Sequence, residues 1–206
     1  MEYELTRLKE PDIPALARLH CKVFPDSRST QLGQLYVRKM FKWFYITQPQ
    51  LCFVAKQGNA LVGYVVGAVG GYGRKLFRYA IFEIIAGLVF HPRLWVKKET
   101  FSLWQSYMKG LLPNRKPSQS SLPDQKSQIL SAALAGIGVD PKTRGMGVGK
   151  ALVLEFENAA RSLQVGKLTL SVHLDNHSAC RLYESCGWVM DNEDIDRNSA
   201  HYCKII

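Results

Sequence analysis

The sequence predicts one α/β domain over residues 1–206. Three observations lead there. Alternating, strand-like stretches and segments with apolar residues at helical spacing follow one another along the chain. A glycine-rich turn, Arg144-Gly145-Met146-Gly147-Val148-Gly149, joins a small-residue apolar run, Ala132 to Val139, to an amphipathic segment, Lys150 to Leu163. The 206 residues, 47% hydrophobic and 21% charged, are enough to bury one sizeable core.

Tyr3 to Leu8 alternates as a strand does. Pro11 and Asp12 open a helix whose Ile13, Leu16, His20 and Val23 or Phe24 share one face. A second helix spans about Thr30 to Ile46, with Leu32, Leu35, Tyr36, Met40, Trp43 and Phe44 as its apolar stripe. Leu51 to Ala55 is a strand, Gly58-Asn59 a turn, and Leu61 to Gly67 the returning strand of a hairpin. Ala80 to Phe90 is a nearly continuous apolar run broken by Glu83, too short for a membrane span of about twenty residues. Pro92 interrupts the helical pattern, and an aromatic-rich helix over Leu94 to Leu111 follows. Pro113 to Gln128, rich in Pro, Ser, Gln and Lys, has no apolar face and reads as a mobile loop over 113–128.

Ile129 to Val139 is a central strand of small residues, suited to close approach by a ligand. The helix after the glycine-rich turn directs Val148, Leu152, Phe156, Ala159 and Leu163 to the sheet. Lys167 to Val172 alternates, with Leu168, Leu170 and Val172 inward. Asn176 or Ser178 caps the next helix, whose Ala179, Leu182, Tyr183 and Cys186 line one side, and Gly187 ends it. Trp188 to Met190 and Tyr202 to Ile205 are the last strands.

The net charge of +10 is unevenly spread. Between Gly70 and Pro117 stand nine basic residues, Arg74, Lys75, Arg78, Arg93, Lys97, Lys98, Lys109, Arg115 and Lys116, against two acidic ones, Glu83 and Glu99. A basic, aromatic helical insert over 70–112 points to an anionic small molecule or an anionic surface. Phe77, Tyr79, Phe82, Leu88, Phe90, Leu94 and Trp95 interleaved with cations fit peripheral contact with an anionic membrane. A solvated basic face over a packed insert, with homodimer contacts, is the plain alternative. No recognition motif for nucleic acid accompanies the charge, so nucleic acid is not an expected partner. Five cysteines, odd in number and without Cys-x-x-Cys, favour reduced thiols and a cytoplasmic setting, at most peripheral to the inner face of the membrane. The spacing of Cys180, Cys186, His201 and Cys203 fits no known zinc cluster, so no metal is expected. Met1-Glu2-Tyr3-Glu4 is acidic and lacks the apolar core of a signal peptide.

Glycines between a strand and a helix let backbone N–H groups approach a bound anion, and the helix terminus adds partial positive charge. Two familiar phosphate loops do not fit. A Walker loop needs Ser or Thr after Gly-Lys, and here Ala151 follows Lys150. A dinucleotide fingerprint needs a third glycine where Lys150 stands. What remains is Arg144-x-x-Gly147-x-Gly149 with Val139 five residues upstream, followed by Asn176-x-Ser178-Ala179-x-x-Leu182-Tyr183-Glu184-x-x-Gly187-Trp188. The two motifs, in this order, resemble those of the GNAT superfamily of N-acetyltransferases, with Trp188 where Phe is commoner.

That resemblance implies an α+β-type mixed sheet in one domain, acetyl-CoA as co-substrate, no metal, and transfer of acetyl to a primary amine by direct attack in a ternary complex. It assigns pyrophosphate binding to Arg144, Gly145, Met146, Gly147, Val148, Gly149 and Lys150. Backbone groups of Ile137, Gly138 and Val139 would pair with the pantetheine arm, helped by Asn176 and Ser178. Tyr183 stands at the general-acid position, a phenol able to protonate the leaving thiolate. Gly136 and Gly138 fit either a distortion of the strand or close packing. For the base, Glu83, His20, His173, Asp124 and a water chain to backbone carbonyls all remain open. The acceptor expected from the charge is an anionic amine such as an amino-sugar derivative. A protein N-terminus or lysine, or acetyl-CoA binding without transfer, are the alternatives.

Overall fold

The computed structural model describes residues 3–90, 129–194 and 198–206. The helix expected over Leu94 to Leu111, the loop over 113–128 and Asp124 lie outside the described residues. The strands are β1 (Glu4–Arg7), β2 (Cys52–Gln57), β3 (Ala60–Val69), β4 (Ser131–Val139), β5 (Lys167–His173), β6 (Val189–Asp194) and β7 (Ser199–Ile205). They form one mixed sheet in the order β1-β2-β3-β4-β5-β7-β6. Only the β4–β5 pair is parallel; the other neighbours are antiparallel.

The helices are α1 (Ile13–Val23), α2 (Arg28–Gln31), α3 (Gln34–Thr47), α4 (Gly73–Tyr79), α5 (Ile81–Phe90), α6 (Val148–Ser162) and α7 (His177–Ser185). Each face of the sheet carries its own core. On one face Val148, Leu152, Val153 and Phe156 of α6 meet Phe53, Val65, Leu134, Leu168 and Tyr202. On the other, Leu16, Ala17 and Leu19 of α1 and Val37, Phe41 and Phe44 of α3 meet Val54, Tyr64 and Val66. Cys52 to Ala55 are buried without alternation because helices cover both sides of β2. Burying Phe156 completely contributes on the order of 2–3 kcal/mol. The ring sits close because a side chain at Gly67 of β3 would collide with it.

The single helix expected over Thr30 to Ile46 is divided. Gly33, with φ +96°, separates α2 from α3 and resets the helical phase. Val37, Phe41, Trp43 and Phe44 are the buried residues of α3, whereas Leu35 is exposed. On α6 the buried stripe includes Ala160 and Glu157, with Ala159 and Leu163 only partly covered. The apolar run at Ala80 to Phe90 forms α5, laid against α3 by a Glu83–Lys39 ion pair of 3.2 Å and by Gly87, where a side chain would strike the Leu32 carbonyl. No helix among the described residues is long and apolar enough to cross a membrane.

Glu157, 1% exposed, is a buried carboxylate that apolar periodicity does not flag. Trp188 Nε1 donates to its Oε1 at 2.8 Å and Lys204 Nζ to its Oε2 at 2.7 Å. Lys204 also donates to the Cys186 carbonyl at the end of α7. One carboxylate thus joins α6, β7 and the residues that close α7. Glu157→Ala leaves the Lys204 ammonium and the Trp188 N–H without that acceptor, so unfolding free energy should fall by roughly 3–5 kcal/mol. Urea titration measures it; a loss below about 1 kcal/mol would show that the pair contributes little.

Candidate functional site

β4 and β5 are partners for three residues only: Ser131 with Lys167, Ala132 with Leu168 and Ala133 with Thr169. Beyond Ala133 the two strands separate, while β4 stays paired with β3 as far as Val139 and β5 with β7 as far as His173. The register between β3 and β4 shifts at Val66/Gly67, so Ala135 has no opposite residue. This bulge moves the inward phase of β4. Ala132 and Leu134 precede it, and Ile137 and Val139 follow it, on the same core face. Asp140 N–H donates to the Val62 carbonyl across β3 at 2.8 Å. By alternation the main-chain groups of Ile137 and Val139 turn away from β3, toward the opening.

The opening ends at the glycine-rich turn. Pro141–Thr143 make a 3₁₀ turn, Gly145 and Gly147 take φ +80° and +79°, and Val148 begins α6. Only glycine adopts that conformation at Gly147 without strain. No side chain caps α6 and its first turn holds no acid. The first intrahelical N–H given to this end is Ala151 to Gly147 O, 3.0 Å. The amides of Val148, Gly149 and Lys150 therefore face outward with the positive end of the helix dipole. Arg144, Gly145, Gly147 and Lys150 are exposed and Met146 half-buried. Neither Arg144 nor Lys150 forms an ion pair among the described residues. A side chain at Gly149 would press on Leu182 at 3.2 Å, so this glycine lets α6 and α7 converge. Such an end fits a pyrophosphate.

Asn176 caps α7: its Oδ1 accepts from Ala179 N–H at 3.2 Å and from Ser178 Oγ at 3.1 Å. Both residues are exposed at the end of β5, on the other arm of the opening. Tyr183, 4% exposed, packs on Trp188 and Tyr202 with ring centroids 6.0 and 6.1 Å away. Burial raises its phenol above the ordinary range, so it is protonated at neutral pH.

The opposite face holds a polar pair that sequence reasoning did not join. Tyr64, on β3, lies against Gly138 and Gly136 of β4. A side chain at Gly138 would come within 2.6 Å of Tyr64 Cε1 and 3.1 Å of Cζ, and one at Gly136 within 3.9 Å of Cε2. Gly138 is thus a packing position, whereas Gly136, beside the distortion at Ala135, would meet only ordinary contacts. The Tyr64 hydroxyl meets His20 Nδ1 at 2.6 Å, and His20 Nε2 meets Ser29 Oγ at 2.8 Å. Burial pushes the His20 imidazole down to about 4. The signal was His20 on the inward face of α1; its partner, 44 residues away, is set by tertiary packing.

The other base candidates fall elsewhere. Glu83 sits on α5 with one carboxylate oxygen toward Lys39 and the other without a partner among the described residues. His173 is exposed at the end of β5, its Nδ1 3.3 Å from the Asn198 carbonyl. Lys22 on α1 bonds Asp140 at 2.7 Å, and that contact holds the carboxyl below the usual carboxylate range. Of the basic segment, Arg74, Lys75 and Arg78 are exposed on α4. They follow Gly70, whose N–H reaches Ser131 O at the paired start of β4. Arg74, Lys75 and Arg78 thus follow the end of the sheet where β4 and β5 stay paired, and the segment's other six cations lie outside the described residues. All five cysteines are free, and no metal-binding group occurs among the described residues.

Residues 125–188 match the model of the Acetyltransferase (GNAT) family. Mycothiol acetyltransferase of Nocardiopsis dassonvillei is 41% identical over 59 residues, 29% of this chain and 18% of that protein. The match thus spans less than a fifth of the relative's length. PaiA N-acetyltransferase from Thermoplasma acidophilum, solved with coenzyme A, superposes with a TM-score of 0.61 at 14% identity, covering 100% of both chains. A chain of the NatC complex bound to Gag peptide and CoA gives 0.61 at 15% identity, covering 100% of this chain and 99% of its own. At these identities the superpositions establish the fold.

The depressed His20 imidazole makes stability pH-dependent. Between about pH 6.5 and 4 the unfolded chain binds a proton at His20 that the folded chain does not. The stability present above pH 6.5 is therefore lost as pH falls toward 4, by roughly 3 kcal/mol in all. Urea unfolding at pH 7.5 and 4.5 should show a larger loss for the wild type than for His20→Asn. Equal losses would mean that His20 is not the group responsible.

Proposed function

We propose that the chain, whose residues 125–188 match the GNAT family model and whose fold is that of solved acetyltransferases, moves an acetyl group from acetyl-CoA to a primary amine. The observation that carries this reading is the opening between β4 and β5, which ends at the uncapped first turn of α6. Acetyl-CoA supplies the activated acetyl thioester. The amides of Gly145, Gly147, Val148, Gly149 and Lys150 hold its pyrophosphate, with the charges of Arg144 and Lys150 beside them and Met146 packing below. Ile137 and Val139 offer main-chain groups to the pantetheine arm as an added strand would, and Gly138 lies between them without a side chain. Asn176 and Ser178 bound the arm from the end of β5. Tyr183 gives its proton to the departing sulfur.

The acceptor we propose is an anionic small amine, such as an amino-sugar derivative. Its support is the segment that follows α5. Gly87 of α5 rests on Leu32, the residue after α2, and the sequence that follows α5 carries six more cations within residues 91–117. A peptide N-terminus is the competing acceptor, favoured by the likeness to a NatC chain bound to peptide. α5 also turns Phe82, Ile85 and Val89, exposed by 79%, 52% and 66%, outward on one stripe. With the α4 cations this stripe supports peripheral contact with anionic lipid.

Isothermal titration should show uptake of CoA by the wild type and none by Gly147→Val, where strain and a side chain at the anion site combine. Tyr183→Phe should keep donor affinity and lower transfer roughly tenfold or more. Absence of CoA uptake by the wild type ends the reading. Across an amine panel, phosphorylated amines should outrun neutral and cationic ones; a preference for free peptide N-termini would reassign the acceptor. Cosedimentation should rise with the anionic lipid content of liposomes and fall in Phe82→Glu. Indifference to lipid charge removes the membrane contact.

A further inference from the structure

We propose that the Tyr64 hydroxyl receives the proton shed by the acceptor amine and that His20 and Ser29 carry it onward. Tyr64 would then be a catalytic residue and His20 a positioning residue behind it. The inference rests on the acetyl-transfer reading above.

Tyr64 starts on β3, yet its ring edge lies over β4. Cε1 and Cζ sit where a Gly138 side chain would be, and Cε2 lies near the corresponding place on Gly136. Adjacent strands are about 4.8 Å apart, so the phenol has crossed one strand toward the side on which β4 parts from β5. This requires glycine at position 138, where a side chain would collide with the ring. The ring lies on the core face shared with α1 and α3, whereas Tyr183 belongs to the face of α6. Burial first, and then the neighbouring Cys21 and Tyr183, raise the Tyr64 phenol above its ordinary range. A donor anchored at the α6 terminus enters from the α6 face. The opposite approach, past the end of α1, is the one left for an acceptor.

The hydrogen bonds have a direction. Tyr64 is 1% exposed, and His20 is its only hydrogen-bond partner among the described residues. A buried phenol needs an acceptor, so Tyr64 donates to Nδ1 and the imidazole proton sits on Nε2, which donates to Ser29 Oγ. Ser29 Oγ lies 3.0 Å from Ser27 Oγ, which lies 3.0 Å from Thr30 Oγ1. Phe24 and Phe41 pack on the imidazole, with centroids 5.3 and 5.4 Å away, and keep it neutral and ready to accept. A polar chain thus runs from beneath two glycines of β4 to half-buried hydroxyls.

The step balances. The amine nitrogen forms the new C–N bond, and its surplus proton moves to Tyr64 Oη. The Tyr64 proton passes to His20 Nδ1, and the Nε2 proton passes to Ser29 and on to water. The C–S bond breaks, and the sulfur takes the Tyr183 proton. Tyr183 is reprotonated from water, so the net change is one amide and one thiol.

Tyr64→Phe keeps the ring and its packing and removes only the hydroxyl. With acetyl-CoA and two probe acceptors, glucosamine 6-phosphate and a peptide with a free N-terminus, kcat should fall roughly a hundredfold. The acetyl-CoA KM should stay within about twofold, and CoA titration should be unchanged. His20→Asn keeps a hydrogen-bonding atom near Nδ1 but cannot pass a proton through. It should lose kcat to a similar extent, and the double variant should be no worse than either single one. If Tyr64→Phe or His20→Asn retains kcat within twofold, the relay is overturned and the pair only anchors α1. Wild-type protein that transfers to neither probe overturns this inference. If it also fails to bind CoA, the acetyl-transfer reading falls with it.

Discussion

Past Ala133 and Thr169, β4 and β5 hold apart two rows of main-chain groups that parallel strands would otherwise satisfy between themselves. Each such group left without a partner costs about 1–3 kcal/mol when buried, so a sheet closes unless something prevents it. Here each arm is held from its outer side. β3 pairs with β4 to Val139, and Asp140 adds one more bond to Val62. β7 pairs with β5 along its full length, Lys167 to His173. The bulge at Ala135 bends β4 between those constraints and sets Ile137 and Val139 on the core face that Ala132 and Leu134 occupy before it. The separation is thus a property of the sheet's outer pairings.

Other features at the site follow from that separation. The α6 N-terminus sits at the end of β4 because a short turn joins them, and Gly149 permits its approach to Leu182 of α7. Glu157 then ties α6 to Trp188 and Lys204, which fixes the far end of α7 and the wall on which Tyr183 packs. On the reverse face the same strand carries Gly138, and the space it leaves is filled by Tyr64. The proposed donor and acceptor sides are thus two faces of one distorted strand, and the proposed proton donor and acceptor lie in opposite cores.

Among the described residues, the cations of the basic segment stand apart from the glycine-rich turn. Three cations of the basic segment stand on α4, beside the end where β4 and β5 remain paired. α5 returns along α3 toward Leu32, next to the hydroxyls of Ser27 and Ser29. A count of charges along the chain could not distinguish those two ends, because position in the sequence does not say which end of β4 a segment meets.

The sequence by itself determined most of the elements and their order, and it marked a candidate donor end for the site. Helical and alternating patterns are local, and a glycine-rich turn opening a helix has the same chemistry wherever it lies; Arg144 to Lys150, Asn176 and Tyr183 were legible for that reason. It misplaced the burial of Leu35 because one glycine, Gly33, reset the helical phase. It passed over Glu157 because the burial of this carboxylate depends on Trp188 and Lys204, 31 and 47 residues away, besides the local pair with Arg161. Only the tertiary structure decided where β4 leaves β5, that Gly138 makes room for a phenol from the next strand, and that His20 meets Tyr64. Those depend on register and on contacts between distant segments, which no local pattern encodes.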